Sequence, residues 1–400
     1  MDDSAGKDPL QILPGEMNRH IFSWLPVKCL FRCMSVSKEW QAFVHEIKNA
    51  HAGKLQLLII SSRQDNGGEE RFIATSMNPD LSFQWVSSPL FTLDGHDYFR
   101  FFEGFRPKIL DSCNELVLVS AGKKVLLWNP LTRWFRVVFG LYNHEEYTLR
   151  DGSVVLGSIC YDTSIKDYKI VLQLRCLTAD RRGYTNRCVS FASLKSNVWK
   201  DLGPPSRGGV PRSGAHSARK GVNFHNTFHW SVCHNVQPPV RNIPGGPNNK
   251  IVYFDPVNDE FKILPSPEPC HREEDDWIVG MGVVNDCLCM ARLDDKTKMV
   301  QVLAMKEYGN GESWFRAFDV SLSRFGCQGD DLYNFTFFSL EKNGKVLMNY
   351  NDSRILVYDP ASEDVLRVRV LLPDSEINHG MCFYAQSFAS PYDQLKLEIK

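Results

Sequence analysis

The sequence has little excess charge of either sign and lacks any long apolar run. Its 400 residues carry 46 Lys and Arg against 47 Asp and Glu, a formal charge of −1. We therefore expect neither a nucleic-acid-binding nor a membrane-surface protein. No stretch of 18 apolar residues occurs, so no transmembrane helix is expected. The first residues, MDDSAGKDPLQ, are acidic and have no apolar core, so we expect no secretory signal peptide.

Common catalytic motifs are also missing. The sequence contains no G-x-S-x-G elbow, no P-loop and no Rossmann glycine pattern. Its twelve cysteines, without a signal for secretion, are expected to be reduced thiols that pack as small apolar side chains. These features predict a protein of the cytoplasm or the nucleus that needs no cofactor.

The segment VNFHNTFHWSVCH, residues 222–234, is a candidate metal site. Its possible ligands are His225, His229, Cys233 and His234. If the segment is one strand, His225, His229 and Cys233 share a face, but neighbours four residues apart then lie about 13 Å from each other. That separation is too large for one ion, so no metal is expected.

Three stretches of the sequence repeat one pattern. They are VLLWNPLTRWF (125–135), IVYFDPVNDEF (251–261) and ILVYDPASEDV (355–365). Each has four apolar residues, then Asn or Asp followed by Pro, and an apolar residue six places after the Asn or Asp. The apolar residues favour a buried strand, and the Asn/Asp-Pro pair favours a type I turn in which the first side chain binds the backbone ahead. Each copy therefore predicts a β-hairpin.

From about residue 54 onward, the hydrophobic pattern alternates as it does in β-strands. Six similar units end in an aromatic or aliphatic residue, and these residues are Trp85, Trp134, Trp199, Phe261, Trp314 and Leu366. Spacings of about 50 to 65 residues are typical of propeller blades with loop insertions, so we predict an all-β propeller of six kelch-like blades. A last apolar run, Met381–Ala389, is expected to pair with the first blade and close the ring, which removes exposed sheet edges.

Residues 13–47 have a helical period instead. Met17, Ile21 and Leu25 recur every four residues, a second stripe runs from Val36 to Ile47, and a short apolar segment lies between them. This pattern predicts three helices. So small a unit holds more large apolar side chains than its own core can use. The surplus faces either a partner protein or the rest of this chain, and the pattern alone does not choose between them.

These two periods divide the chain into regions. We predict a flexible N-terminus (1–11), a three-helix unit (12–47), a linker (48–54), a β-propeller (55–390) and a C-terminal tail (391–400). The predicted fold class is therefore α+β and multidomain, with a small helical unit followed by an all-β propeller.

The helical segment LPGEMNRHIFSWLPVKCLFRCMSVSKEW, residues 13–40, resembles an F-box. The β-rich remainder is similar to the F-box-associated, kelch-like domain of plant F-box proteins. The matching segments, in order, are SCNELVLV, LLWNP, YDTSIKDYKIV, NTFHWSV and VVNDCLCM. One departure is Glu115, which stands where that family often has Gly after Ser-Cys-Asn.

This resemblance implies a function for both regions. The F-box would bind a Skp-class adaptor, which joins a cullin to form an SCF ubiquitin ligase, and the propeller would hold an unknown target protein. The chain itself would then be non-catalytic. By motif position, the implied adaptor-facing residues are Leu13, Pro14, Ile21, Leu25, Pro26, Leu30 and Cys33. Two alternatives are a non-degradative F-box scaffold or regulator, and a propeller enzyme or sugar-binding protein with an incidental helical cap.

A basic stretch is the candidate target-binding surface of the propeller. Residues 175–220 contain ten Lys or Arg and two acidic residues, in a chain whose net charge is −1. Arginine pairs bidentately with carboxylate and phosphate, so this stretch predicts binding of an acidic or phosphorylated target. The candidate residues are Arg181, Arg182, Arg207 and Arg212. The alternative is a solvated blade edge with no binding role.

Overall fold

A computed structural model gives the structure of the protein. The residues that it describes are 14–25, 27–51, 55–64, 70–77, 83–86, 107–121, 124–130, 134–140, 154–177, 185–196, 198–201, 221–232, 250–267, 276–294, 297–325, 335–339, 344–350, 354–368 and 376–385. Among these residues, no helix has the length and apolar character needed to cross a membrane. Seven cysteines are free thiols, namely Cys29, Cys33, Cys113, Cys160, Cys287, Cys289 and Cys382.

Three helices come first, as the helical period predicts. They are α1 (Gly15–Trp24), α2 (Val27–Cys33) and α3 (Lys38–His51). The Pro14 carbonyl accepts the first backbone hydrogen bonds of α1. Ser37 caps α3, because its hydroxyl accepts a hydrogen bond from the N–H of Trp40 at 3.1 Å. Glu39 in the first turn of α3 suits the positive end of the helix dipole.

The three helices pack around a small core. Phe22, Leu30 and Val44, one from each helix, are almost fully buried. Trp40 meets Phe22 edge-on with 5.1 Å between ring centroids, and Phe43 stacks on the same ring at 6.0 Å. Because this core has room for so few side chains, other large apolar residues of the helices stay at the surface.

In the described part of the chain, 24 strands follow and pair in groups of four. The first group contains β1 (Leu55–Gln64), β2 (Glu70–Met77), β3 (Phe83–Val86) and the last strand of the chain, β24 (Glu376–Ala385). The second contains β4 (Lys108–Cys113), β5 (Leu116–Ala121), β6 (Lys124–Asn129) and β7 (Trp134–Gly140). The third contains β8 (Val154–Asp162), β9 (Asp167–Leu177), β10 (Thr185–Ser193) and β11 (Trp199–Asp201).

The fourth group contains β12 (Val222–Phe224), β13 (Thr227–Val232), β14 (Lys250–Asp255) and β15 (Glu260–Leu264). The fifth contains β16 (Asp276–Val284), β17 (Cys287–Asp294), β18 (Met299–Met305) and β19 (Trp314–Ser321). The sixth contains β20 (Phe335–Ser339), β21 (Val346–Tyr350), β22 (Arg354–Asp359) and β23 (Asp364–Val368).

Neighbouring strands within each group pair antiparallel, so each group is a meander of the kind that forms a propeller blade. The fifth and sixth groups also join each other, because β16 and β20 pair in parallel. Gly280 permits this close approach, since a Cβ there would lie 1.4 Å from the Phe335 carbonyl oxygen. The predicted propeller architecture is confirmed, and the count of six blades stays a prediction.

The three repeated stretches form the hairpins between the third and fourth strands of their groups: β6–β7, β14–β15 and β22–β23. In two copies the Asp side chain binds the backbone ahead, as predicted. Asp255 accepts a hydrogen bond from the N–H of Val257 at 2.9 Å, and Asp359 accepts one from the N–H of Ala361 at 3.0 Å. The repeated sequence therefore encodes one hairpin of a blade, and in the two Asp copies a carboxylate binds the turn.

The C-terminal strand closes the ring. β24 pairs antiparallel with β1 from Leu55↔Ala385 to Arg63↔Glu376. Ser112 in β4 donates a hydrogen bond to the Phe383 carbonyl, which ties the first group to the second. The predicted closure is confirmed, although the strand begins at Glu376 rather than at Met381.

A buried lysine joins the third and fourth groups. The side chain of Lys169 in β9 is 7% exposed, and its Nζ lies 3.2 Å from the Asp162 carboxylate and 2.5 Å from that of Asp259. The same ammonium donates a hydrogen bond to the Pro256 carbonyl. Burial alone would lower the pKa of Lys169, but its hydrogen bonds to Asp259 and Asp162 raise it, so the ammonium stays charged.

Candidate functional site

Helix α1 presents apolar side chains that the helical core does not cover. Met17, Ile21 and Trp24 are 54%, 41% and 73% exposed, and they lie at i, i+4 and i+7 on one side of the helix. The other side of α1 carries Phe22 into the core. We call these three residues the α1 face. Exposed apolar groups that cluster in this way mark a surface for protein binding.

Two of the predicted adaptor-facing residues lie at this surface. Ile21 belongs to the α1 face, and Pro14 is exposed just before the helix begins. Leu13 and Pro26 lie outside the described residues. Trp24 is the most exposed member of the α1 face and was not among the predicted contacts, although its i+7 spacing from Met17 could have identified it.

The other three predicted contacts point toward the core. Leu25 and Cys33 are half-buried and pack against it, and Leu30 is 0% exposed. The structure therefore does not bring Leu30 to the surface, because the seven-residue helix α2 supplies that side chain to the interior. Burial raises the pKa of the Cys33 thiol, and the nearby Cys29 adds to this shift.

The predicted target-binding arginines are not placed by the structure. Arg181, Arg182, Arg207 and Arg212 lie outside the described residues. Within the same basic stretch, Lys200 is 65% exposed and its Nζ lies 5.5 Å from the centroid of the Phe191 ring. The role of this stretch in binding an acidic target stays a prediction.

The His/Cys segment is a hairpin and not the single strand that the sequence suggested. β12 and β13 pair through Phe224↔Thr227, and the two residues between them, His225 and Asn226, have φ angles of 50° and 62°. These angles are typical of a two-residue hairpin turn. Cys233 and His234 lie outside the described residues, among which no group of three His, Cys, Asp or Glu could hold a metal ion.

His229 in this hairpin is a buried structural residue. It is 0% exposed, and its ring nitrogens Nδ1 and Nε2 lie 3.0 Å from the Thr227 carbonyl and 2.7 Å from the Tyr308 hydroxyl. Burial lowers the pKa of His229 to about 3, so the ring is neutral at physiological pH. Since Tyr308 follows β18, this contact links the fourth group to the fifth.

The turn at Glu115, where the sequence departs from the family pattern, forms normally. Cys113 pairs with Leu116 across it, and Asn114 takes the left-handed conformation with φ of 52°. The Glu115 carboxylate is buried and accepts a hydrogen bond from the Tyr168 hydroxyl at 3.3 Å. This polar contact joins the second and third groups.

A cavity of about 250 Å³ lies where the innermost strands of the groups meet. Its described walls come from β4, β12, β16, β20 and β24, and from the turns that follow β4, β12 and β16. We call it the axial cavity. The two carboxylates in its lining belong to Asp111 and Asp286, and the aromatic rings belong to Phe224, Phe338 and Phe383.

Asp111 is a buried carboxyl group in the wall of the axial cavity. It is 7% exposed and accepts a hydrogen bond from the N–H of Ile159 at 2.9 Å. Burial raises the pKa of Asp111 well above its usual value, and hydrogen bonds from the backbone and from Asn223 oppose that shift. Asn223 also donates to the Ile159 carbonyl at 2.7 Å, so these residues connect β4, β8 and β12.

Two family models match this chain and agree with this architecture. Residues 10–48 match the F-box-like family, and residues 86–390 match the F-box associated beta propeller domain. An F-box/kelch-repeat protein of Arabidopsis thaliana is 26% identical over 322 residues, which cover 77% of this chain and 79% of that protein. The F-box protein CPR1 of the same plant is 25% identical over 394 residues, covering 90% and 84%. The solved Dos1 propeller aligns at a TM-score of 0.36 and 8% identity, over 77% of this chain and 74% of that one.

A three-helix F-box-like unit followed by propeller sheets defines the general class of F-box proteins with a β-propeller. Within that class, the chain belongs to the family of plant-type F-box proteins that carry a C-terminal F-box associated domain. Members of this family are in general non-catalytic adaptors.

Proposed function

We propose that this protein is the substrate-recognition subunit of an SCF-type ubiquitin ligase, acting in the cytoplasm or the nucleus. Its F-box binds a Skp-class adaptor, and through it a cullin, while the propeller holds a target protein. The observation that carries this proposal is the exposed α1 face within an F-box-like unit. The chain contributes proximity between target and ubiquitin donor, which converts a bimolecular transfer into a nearly unimolecular one without a catalytic residue of its own.

Burial of the α1 face by an adaptor would supply part of the binding free energy, and further contacts would have to supply the rest. Complete burial of one large apolar side chain stabilises by about 1.5–3 kcal/mol, and roughly half of each side chain of the α1 face is available. Covering all three therefore contributes about 3–5 kcal/mol, short of the roughly 8 kcal/mol of a micromolar complex. Pro14 and the 60% exposed Val36 are further surfaces that the adaptor can cover.

The test replaces Ile21 by Asp in the full chain and measures co-purification with a Skp-class adaptor. An unpaired carboxylate buried in an apolar interface costs several kcal/mol, so binding should be lost. Ile263→Asp is the matched control, because Ile263 in the propeller strand β15 is 48% exposed, close to the 41% of Ile21. The control should retain adaptor binding.

Equal adaptor binding by Ile21→Asp and by the wild-type chain would overturn the proposal, provided that both proteins melt alike. Pro14→Ala with Leu13→Ala is a second variant that leaves α1 intact, and it should also weaken co-purification. Degradation of the target is measured separately, from the lifetime of captured proteins with and without proteasome inhibition. A captured protein whose lifetime never changes would assign this chain to a non-degradative scaffold instead.

A further inference from the structure

The axial cavity has two acidic side chains in its described lining and no lysine or arginine. Among the described residues that line it, Asp111 and Asp286 carry carboxylates and none is Lys or Arg. Asp286 is exposed at the rim, in the two-residue turn between β16 and β17, whereas Asp111 lies buried in the wall. A ligand that enters from the rim therefore passes one carboxylate and approaches a second.

Aromatic rings line the same cavity as these two acidic side chains. Phe338 in β20 and Phe383 in β24 are half-buried, with 4.2 Å between their ring centroids. Phe224 closes another wall and stacks on His225 at 3.9 Å. Ring faces attract cations, and the attraction grows when water is excluded.

The size of the cavity limits what it can hold. Pockets for drug-sized ligands usually measure about 300–1,000 Å³, and the axial cavity measures about 250 Å³. It is therefore better suited to one long side chain of a protein than to a whole cofactor or an oligosaccharide.

We propose that the axial cavity binds an arginine side chain of the target protein. This inference rests on the proposed function, because it names the chemistry of the segment that the propeller recognises. A guanidinium group is weakly hydrated, stacks on aromatic faces and donates hydrogen bonds in one plane to carboxylates. Phe338 and Phe383 offer it ring surfaces, Asp286 pairs with it at the rim, and the buried Asp111 carboxyl belongs to the wall.

Burial of Asp111 couples its ionisation to the arrival of a cation. The pKa of that carboxyl is raised because its charged form lacks solvation. An arriving guanidinium supplies an opposite charge, which favours ionisation of the carboxyl and strengthens the pair. A neutral ligand of the same shape gains nothing from this coupling.

The probe is the peptide acetyl-Gly-Arg-Gly-amide, with versions in which citrulline or lysine replaces arginine. Binding to the full chain is measured by saturation-transfer NMR and by titration calorimetry. We expect a Kd on the order of 1 mM for the arginine peptide, as befits one side chain, and no detectable binding of citrulline, which has the same shape without the charge. The lysine peptide should bind at least threefold more weakly than the arginine peptide.

Asp286→Lys tests the rim carboxylate. Lysine suits the left-handed backbone at this position, since Lys166 and Lys298 adopt φ of 53° in this same chain and Asp286 has φ of 57°. Arginine binding should weaken at least tenfold in Asp286→Lys and about threefold in Asp286→Asn. Glu312→Lys is the matched control, because Glu312 is exposed and outside the cavity lining, and it should bind as the wild type does.

Equal binding of the citrulline and arginine peptides would overturn this inference, and so would unchanged arginine binding by Asp286→Lys. Equal binding of the lysine peptide would overturn the preference for arginine. Adaptor co-purification is measured on the same preparations. If the wild-type chain binds the adaptor but not the arginine peptide, only this inference fails, whereas loss of adaptor binding by the wild-type chain rejects the proposed function itself.

Discussion

Acidification from about pH 7.5 to about pH 5 should destabilise the β-rich domain through His229. The Thr227 carbonyl can only accept a hydrogen bond, so Nδ1 of His229 carries the proton and Nε2 accepts from the Tyr308 hydroxyl. Protonation of Nε2 would place a charge in a site that is 0% exposed and would remove the acceptor that Tyr308 uses. The folded state therefore resists protonation of this ring.

The magnitude follows from the two pKa values. The pKa of His229 is about 3 in the folded protein and 6.5 in an unperturbed histidine, so the unfolded chain binds the proton first as the pH falls. Stability from this residue is complete above about pH 6.5 and is lost progressively toward pH 3. Between these two pKa values, each pH unit below about 6.5 costs about 1.36 kcal/mol of stability. At pH 5, about 1.5 units lower, the loss is therefore about 2 kcal/mol.

The assay is urea unfolding of the full chain, followed by tryptophan fluorescence at the two pH values. Other groups also titrate in this range, so the decisive quantity is the difference between the wild type and His229→Gln, which cannot be protonated. This variant should be less stable at pH 7.5 but should lose about 2 kcal/mol less than the wild type on acidification. His225→Asn is the matched control, since His225 is exposed in the adjacent turn, and it should show the loss of the wild type.

An equal loss in the wild type and in His229→Gln would refute this reasoning. It would mean that the ring is protonated in the folded state at pH 5, and hence that water reaches the contact between the fourth and fifth strand groups.

Three further predictions concern stability. Leu30→Ala should destabilise the helical unit by about 2–5 kcal/mol, measured by circular dichroism, and loss of adaptor binding without destabilisation would instead make Leu30 a direct contact. Lys169→Met should cost about 3–5 kcal/mol in urea unfolding because it removes the cation that pairs with the buried Asp162 carboxylate, whereas Lys200→Met should change stability by less than about 1 kcal/mol. A chain that ends before Glu376 lacks β24 and should unfold at lower temperature than the full chain; an unchanged melting curve would contradict closure of the ring.

Local chemistry explains which parts of the fold could be predicted. The hairpins at Asp255 and Asp359 were predictable because the strand, the turn and the capping carboxylate lie within about ten residues of each other. The turn at His225 and Asn226 was missed, since this pair is not one of the common Gly-containing hairpin turns. An Asn between two short apolar segments was the available signal.

The candidate sites depend on tertiary packing, which cannot be predicted from the sequence of a short segment. Both Leu30 and Ile21 are apolar residues of short helices, and only the contacts with α3 decide that Leu30 is interior. The axial cavity combines Asp111, Asp286 and Phe383, although 175 positions separate the first two in sequence and 97 separate the last two. Spacing within the chain therefore gave no indication of this site.

The pairing of β24 with β1 also means that β1 is synthesised long before its partner strand. Leu57 and Phe383 pair although they lie 326 positions apart in the chain. At about 5–20 residues per second, a ribosome needs on the order of 15 to 60 s to synthesise that interval. During this time β1 has emerged without its final partner, and its open edge is a template for pairing with other chains. Protection of that edge until translation ends is therefore a requirement that this topology places on the cell.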